Sequence, residues 1–162
     1  MSTLFLFFVQ FSAVAYALVG GVFLAFSDFI MRSLANTGGA GGVDAMQVIN
    51  REVFRWVFMT LFLGQAALSL VIVGIGFWGV TGLAGTAIML AGLIYLVGCF
   101  GVTVVCNVPM NKALDGMDLS ATTTQDYWVG TYLPRWTFWN SVRTVACTLS
   151  SLLLVLAISW VA

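Results

Sequence analysis

Four long apolar runs dominate this chain, at about residues 4–26, 53–78, 83–106 and 142–161. Each holds the roughly 20 residues needed to cross about 30 Å of hydrocarbon. Inside hydrocarbon no water pairs with peptide groups, so such runs are expected as helices. The expected fold is all-α: an antiparallel four-transmembrane-helix bundle, one domain over residues 1–162, with both termini on the same side. Only Gly79, Val80, Thr81 and Gly82 separate the second and third runs, which implies a tight hairpin.

The charges agree with a lipid solvent. Of 162 residues 7% are charged, and the mean hydropathy is +1.05. A soluble domain carries about 25% charged residues. Six basic and six acidic side chains cancel, and no basic patch points to nucleic acid. The chain has no histidine, hence neither the commonest metal ligand nor the commonest general base. No metal site and no cofactor are expected. Cys99, Cys106 and Cys147 form no CxxC pair and lie in apolar runs. They read as small core residues, Cys99 and Cys106 sharing a helix face seven residues apart; a disulfide or metal role stays open.

All twelve charges fall in or beside the two long connections. The bases are Arg32, Arg51, Arg55, Lys112, Arg135 and Arg143; the acids are Asp28, Asp44, Glu52, Asp115, Asp118 and Asp126. The positive-inside rule places those connections in the cytoplasm and both termini outside. No base precedes the first run, so it reads as a retained span rather than a cleavable signal. A bacterial inner membrane is the expected location. No ionisable group sits at the middle of a span, which argues against a proton-coupled carrier.

Local signals add detail. Asp44 is expected to cap a helix leading into the second span, and a threonine of 122–124 to cap one in the second connection. Tyr127, Trp128 and Tyr132 fit an interfacial aromatic belt. Pro134 is expected in the first turn of the last helix. Pro109 should kink or restart the third, with Asn107 as a cap. Ala13, Ala17, Gly21 and Ala25, spaced by four, form a small-residue stripe suited to close helix packing.

Polar residues at the inner span ends are the candidate site. Asp28 and Arg32 are four apart, acid first, and should pair. Glu52 and Arg55 can pair, which leaves Arg51 seeking a carboxylate or anion. Asn107 and Asn111 flank Pro109 and suit the lining of a polar cavity. On a helix Trp136, Asn140 and Arg143 share one face. Arg143 lies deepest, where a charge costs about 3 kcal/mol on insertion scales, so it should point into the bundle or snorkel outward, with Asp28 or Glu52 as its expected partner. These ends should converge on a polar, aromatic-lined cleft for a flat small molecule arriving from lipid.

The stretches "FSDFIMRSL", "DAMQVINR", "NVPMNKAL" and "YWVGTYLPRWTFWNSVRT" together resemble a small four-helix membrane family. It has long been catalogued as a domain of unknown function and is also called anthrone oxygenase-like. The resemblance covers nearly the whole chain in order. It implies oxidation of an anthrone to an anthraquinone, as linked to fungal relatives, without an evident metal or flavin. Many bacterial members have no assigned activity.

An anthrone is easily deprotonated, and such chemistry needs a weak base and a donor for the developing oxyanion. From residue type, Asp28 is the expected base and Asn140 or Arg143 the donor. Asn50, Asn107, Asn111, Arg135 and Trp136 are expected to bind the substrate. The expected partners are membrane lipid and a hydrophobic, aromatic or quinol-like small molecule, with a homo-oligomer or a larger membrane complex as further possibilities. The alternative is a non-enzymatic accessory subunit of such a complex, its polar ends serving as interhelical fasteners.

Overall fold

Ser2 opens the first helix: its hydroxyl accepts the Phe5 N–H at 3.3 Å, satisfying one of the donors a helix start leaves free. The computed structural model describes residues 2–161. The helices are α1 (Thr3–Ala35), α2 (Gly41–Glu52), α3 (Trp56–Gly79), α4 (Gly82–Asp115) and α5 (Thr122–Trp160). Among the described residues there is no strand. All but α2 are long and apolar enough to cross a membrane, which makes this an integral membrane protein. α1 packs mainly on α5, and α4 lies between α3 and α5.

Three helices outrun their apolar runs. α4 has 34 residues and α5 has 39. At 1.5 Å per residue that is about 51 and about 58 Å, well beyond about 30 Å of hydrocarbon. Both prolines lie inside these helices. Pro109 stands at the start of the α-helical segment that resumes at Val108, and Pro134 in the first turn of the one that begins at Leu133, each continuous with the helix before it. Each follows a wider turn. The Val108 N–H reaches back to the Thr103 carbonyl, and the Leu133 N–H to that of Trp128. The extra residue in the turn shifts the hydrogen-bond register just where proline supplies no donor.

The expected caps are replaced. Ala40 precedes α2, and Asp44 lies in the first turn without a capping bond, where its charge still favours the helix start. Ala121 precedes α5. Thr124 donates its hydroxyl to the Asp118 carbonyl at 2.6 Å. The Ser120 N–H and hydroxyl both donate to the Asp118 carboxylate at 2.8 Å and hold its pKa below the usual value.

Between the spans, side-chain hydrogen bonds replace a hydrophobic driving force that lipid does not supply. Tyr16 and Ser69 hydroxyls meet at 2.7 Å, Gln65 donates to the Ser12 carbonyl at 3.1 Å, and Tyr95 to that of Phe62 at 3.0 Å. The Tyr16 and Tyr95 rings stack at 4.6 Å.

The small-residue stripe is a packing face only in part: Ala13 is buried in the core. Ala17 and Gly21 point outward. Gly20 is the residue in contact, and a Cβ there would sit 2.9 Å from the Cβ of Cys147. The hairpin is as tight as expected. Gly82 takes a positive φ of 72°, and the Gly76 backbone touches that of Gly85 and Met89 so closely that no Cβ fits. Cys99 faces Cys147 of α5, not Cys106, with sulfurs 3.3 Å apart and both thiols free.

Candidate functional site

One buried face of α5 carries Trp128, Tyr132, Trp136, Asn140 and Arg143 in steps of four and finally three residues. Helical side chains at that spacing lie above one another. The Trp128 and Tyr132 rings stack at 5.3 Å and 22°, and the Tyr132 and Trp136 rings at 6.1 Å and 16°. Asn111 of α4 fastens this ladder. Its side-chain oxygen accepts the Trp136 indole N–H at 2.7 Å and the Tyr132 hydroxyl at 2.8 Å. Asn50 of α2 donates to the same tyrosine oxygen at 3.4 Å.

Below the ladder sits Arg143, 5% exposed. Its Nη2 donates to Asn140 Oδ1 at 2.6 Å and its Nη1 to the Thr103 hydroxyl at 3.2 Å, while its Nε has no partner. The guanidinium carbon lies 4.1 Å from the Phe23 ring centre and 5.2 Å from that of Trp136. Such rings offer a negative π face to a cation. Asn140 is fully buried and held in turn: its amide donates to the Phe23 carbonyl and to the Ser27 hydroxyl, each at 2.6 Å.

Among the described residues no carboxylate pairs with Arg143. Among the described residues the ion pairs are Arg51–Asp115, at 2.7 Å, and Arg55–Glu52. Glu52 thus pairs with Arg55 as expected and is not available to Arg143, and Arg51 finds its carboxylate in Asp115. Asp28 is exposed and pairs with neither Arg32 nor Arg143. The deep arginine is compensated by amide, hydroxyl and ring faces instead of a counter-charge.

A cavity of about 600 Å³ opens against this group, within the range of roughly 300–1,000 Å³ of small-molecule sites. Its walls are mainly aromatic and aliphatic: Phe23 and Phe26 from α1, Met46 from α2, Phe58 and Phe62 from α3, and Phe100 from α4. The polar groups are few. Arg143, Thr103, Asn50 and Asn111 line it, with Arg51, Lys112 and Asp115, all exposed, as its charged members.

Of the residues singled out in the sequence, Asn50, Arg51, Asn111, Trp136 and Arg143 line this cavity. Asn140 and Asn107 lie behind it. Asn140 anchors Arg143, and Asn107 donates to the Trp136 carbonyl at 3.3 Å rather than capping a helix. Asp28 and Arg135 are exposed and are not among the lining residues, so the base role expected of Asp28 has no geometric support. The sequence reading missed Thr103 and the phenylalanine walls. A phenylalanine facing a cavity and one facing lipid are alike in an apolar run. The one available signal for Thr103 was its place one turn from Cys99, which reads as a core residue.

No curated protein and no solved structure matches the chain. The anthrone oxygenase family matches residues 54–153. That segment holds α3, α4 and most of α5, and with them Thr103, Asn111, Trp136, Asn140 and Arg143. α1 and α2, which add Phe23, Met46 and Asn50 to the cavity, lie outside it. With well over half its length matched and the four-helix architecture in place, the chain belongs to the anthrone oxygenase family.

Proposed function

We propose that this protein is a membrane-embedded oxygenase that oxidises a flat hydrophobic aromatic, of anthrone or related quinol type, in the cavity above Arg143. The carrying observation is an aromatic-walled cavity that ends on a buried guanidinium without a carboxylate partner among the described residues. Arginine stays protonated in proteins, so the cavity presents a fixed positive charge to an oxygen that becomes negative.

In this reading the ring system lies among Phe23, Phe58, Phe62 and Trp136, with its carbonyl toward Arg143. Loss of a proton from the methylene carbon gives an enolate whose charge rests on that oxygen. The proton leaves toward the charged, exposed mouth of the cavity, where Asp115 is the lining carboxylate; Asp28 is not placed to receive it. The carbanion form adds molecular oxygen to give a hydroperoxide; loss of the remaining hydrogen with cleavage of the O–O bond leaves a quinone carbonyl and water. Carbon is oxidised and oxygen reduced, and no other electron donor enters. Asn140 acts as a positioning residue through Arg143.

The protein resides in a bacterial inner membrane, with both termini outside and the charged connections in the cytoplasm; the one-sided charge distribution supports this. Substrate then partitions from lipid. The test is oxygen uptake and quinone formation by the purified protein in lipid nanodiscs supplied with an anthrone. The expected result is a rate well above that of Arg143→Met. Equal rates for wild type, variant and empty discs overturn the proposal.

A further inference from the structure

We infer that the cavity takes its ligand as an anion: a flat hydroxyaromatic or enol whose ionised oxygen becomes the missing counter-charge of Arg143. This rests on the reading of the cavity as a small-molecule site and specifies the state in which the molecule is held.

The argument starts from charge. A guanidinium removed from water needs compensation, and hydrogen bonds alone orient dipoles without cancelling the charge. Arg143 has two such bonds, to Asn140 and Thr103, and two ring faces. Its Nε is buried with no partner. The group lines a cavity that an organic molecule could fill. An opposite charge placed there meets a cation already fixed by Asn140, which the Phe23 carbonyl and Ser27 fix in turn.

The neighbouring groups do not supply that charge. α1 faces Arg143 with Phe23, and α3 adds Phe58 and Phe62 to the walls. From α2 comes Arg51, a second cation, already paired with Asp115 of α4. α4 adds Lys112 to the lining, another cation. The titratable groups around Arg143 on α4 and α5 are Cys99, Cys147 and Tyr132, and the tyrosine hydroxyl is already donated to Asn111. Of the charged residues that line the cavity, Arg51, Lys112 and Arg143 outnumber the single acid, Asp115.

The walls choose between kinds of anion. A small inorganic ion would leave the phenylalanine faces uncovered, whereas a flat ring covers them and places its oxygen at the cation. A lipid phosphate shares the negative oxygen but lacks the flat ring.

The test uses 2-naphthol, which has no methylene group for the proposed oxidation and whose naphtholate absorbs at longer wavelength than the neutral form. It is titrated in nanodiscs of zwitterionic lipid holding wild type, Arg143→Lys or Arg143→Met, and in empty discs. An opposite charge within about 4–6 Å lowers an acid's pKa by about 1–3 units. The expected result is a bound population that ionises at least about tenfold more readily in wild type and Arg143→Lys than in Arg143→Met or empty discs. A probe that binds wild type but ionises there as in empty discs overturns the inference and leaves the oxygenase proposal standing. A probe that fails to bind wild type removes the small-molecule site and both proposals with it. Discs containing phosphatidylglycerol form the last arm: loss of the shift there assigns the anion at Arg143 to a lipid phosphate and overturns the inference. If Arg143→Met does not fold, the wild-type midpoint against empty discs decides alone.

Discussion

Asn140 holds Arg143 from three residues away. Its side-chain oxygen accepts the guanidinium at 2.6 Å while its amide is spent on the Phe23 carbonyl and the Ser27 hydroxyl. One side chain thereby links α5 to α1 and fixes the cation that ends the cavity.

Replacing Asn140 by leucine should therefore do two things. It strips Arg143 of its closest acceptor and leaves the Phe23 carbonyl without this donor. The expected destabilisation is about 3 kcal/mol, at the upper end for a hydrogen bond to a charged group. Thermal unfolding in detergent checks it. A loss below that of a typical surface change would mean the asparagine is not the anchor.

Adjacent glycines on α1 should respond in opposite ways. A side chain at position 20 runs into Cys147, so Gly20→Leu should cost about 1–3 kcal/mol through forced separation of α1 from α5. Gly21 has open space around it, and Gly21→Leu should fall within about 0.5 kcal/mol of wild type. Parallel unfolding curves of the two variants decide; equal losses would contradict the packing of α1 described above.

At the junction of α2 with α4, a neutral residue should outweigh an ion pair. Gln47 is buried and donates to the Leu114 and Met117 carbonyls at 2.8 and 3.0 Å. Gln47→Leu leaves the Met117 carbonyl without this donor and the Leu114 carbonyl with backbone donors only, and should cost about 1–3 kcal/mol. The Arg51–Asp115 side chains are 57% and 45% exposed, so Asp115→Asn should cost less than about 1 kcal/mol. Added salt should shrink the second loss and not the first.

The facing thiols of Cys99 and Cys147 should be joined by a membrane-permeant dithiol oxidant, since 3.3 Å between sulfurs requires little movement of either helix. Intact mass should fall by two hydrogens, and peptide mapping should place the bond between these residues. Cys106 should stay alkylatable. A product that includes Cys106 would show that α4 and α5 face each other differently.

Some of this was readable from the chain and some was not, for physical reasons. The spans were legible because hydrocarbon demands about 20 apolar residues in a row. The face of Trp136, Asn140 and Arg143 was legible because polar residues in such a run are few enough to show a period. The phase of α1 was not. The small residues spaced by four run through Gly21, whereas Gly20 has Tyr16 and Leu24 at that spacing, so the regular pattern pointed one residue away from the contact. The helical starts at Pro109 and Pro134 were legible, but the wider turn upstream that joins each to the preceding helix leaves no mark in composition. The partner of Arg143 was sought among acids by analogy with ion pairs. A ring face, an amide and a hydroxyl took that place, and Phe23 and Thr103 carry no charge to betray them.

The turn at Val80 and Thr81 bears on how the chain reaches its membrane. With two residues between α3 and α4 and glycine backbones in touch, the two helices are expected to enter lipid together as a hairpin. A peptide spliced into that turn would uncouple them during synthesis, and its harm would appear as failed biogenesis before any property of the finished protein could be measured.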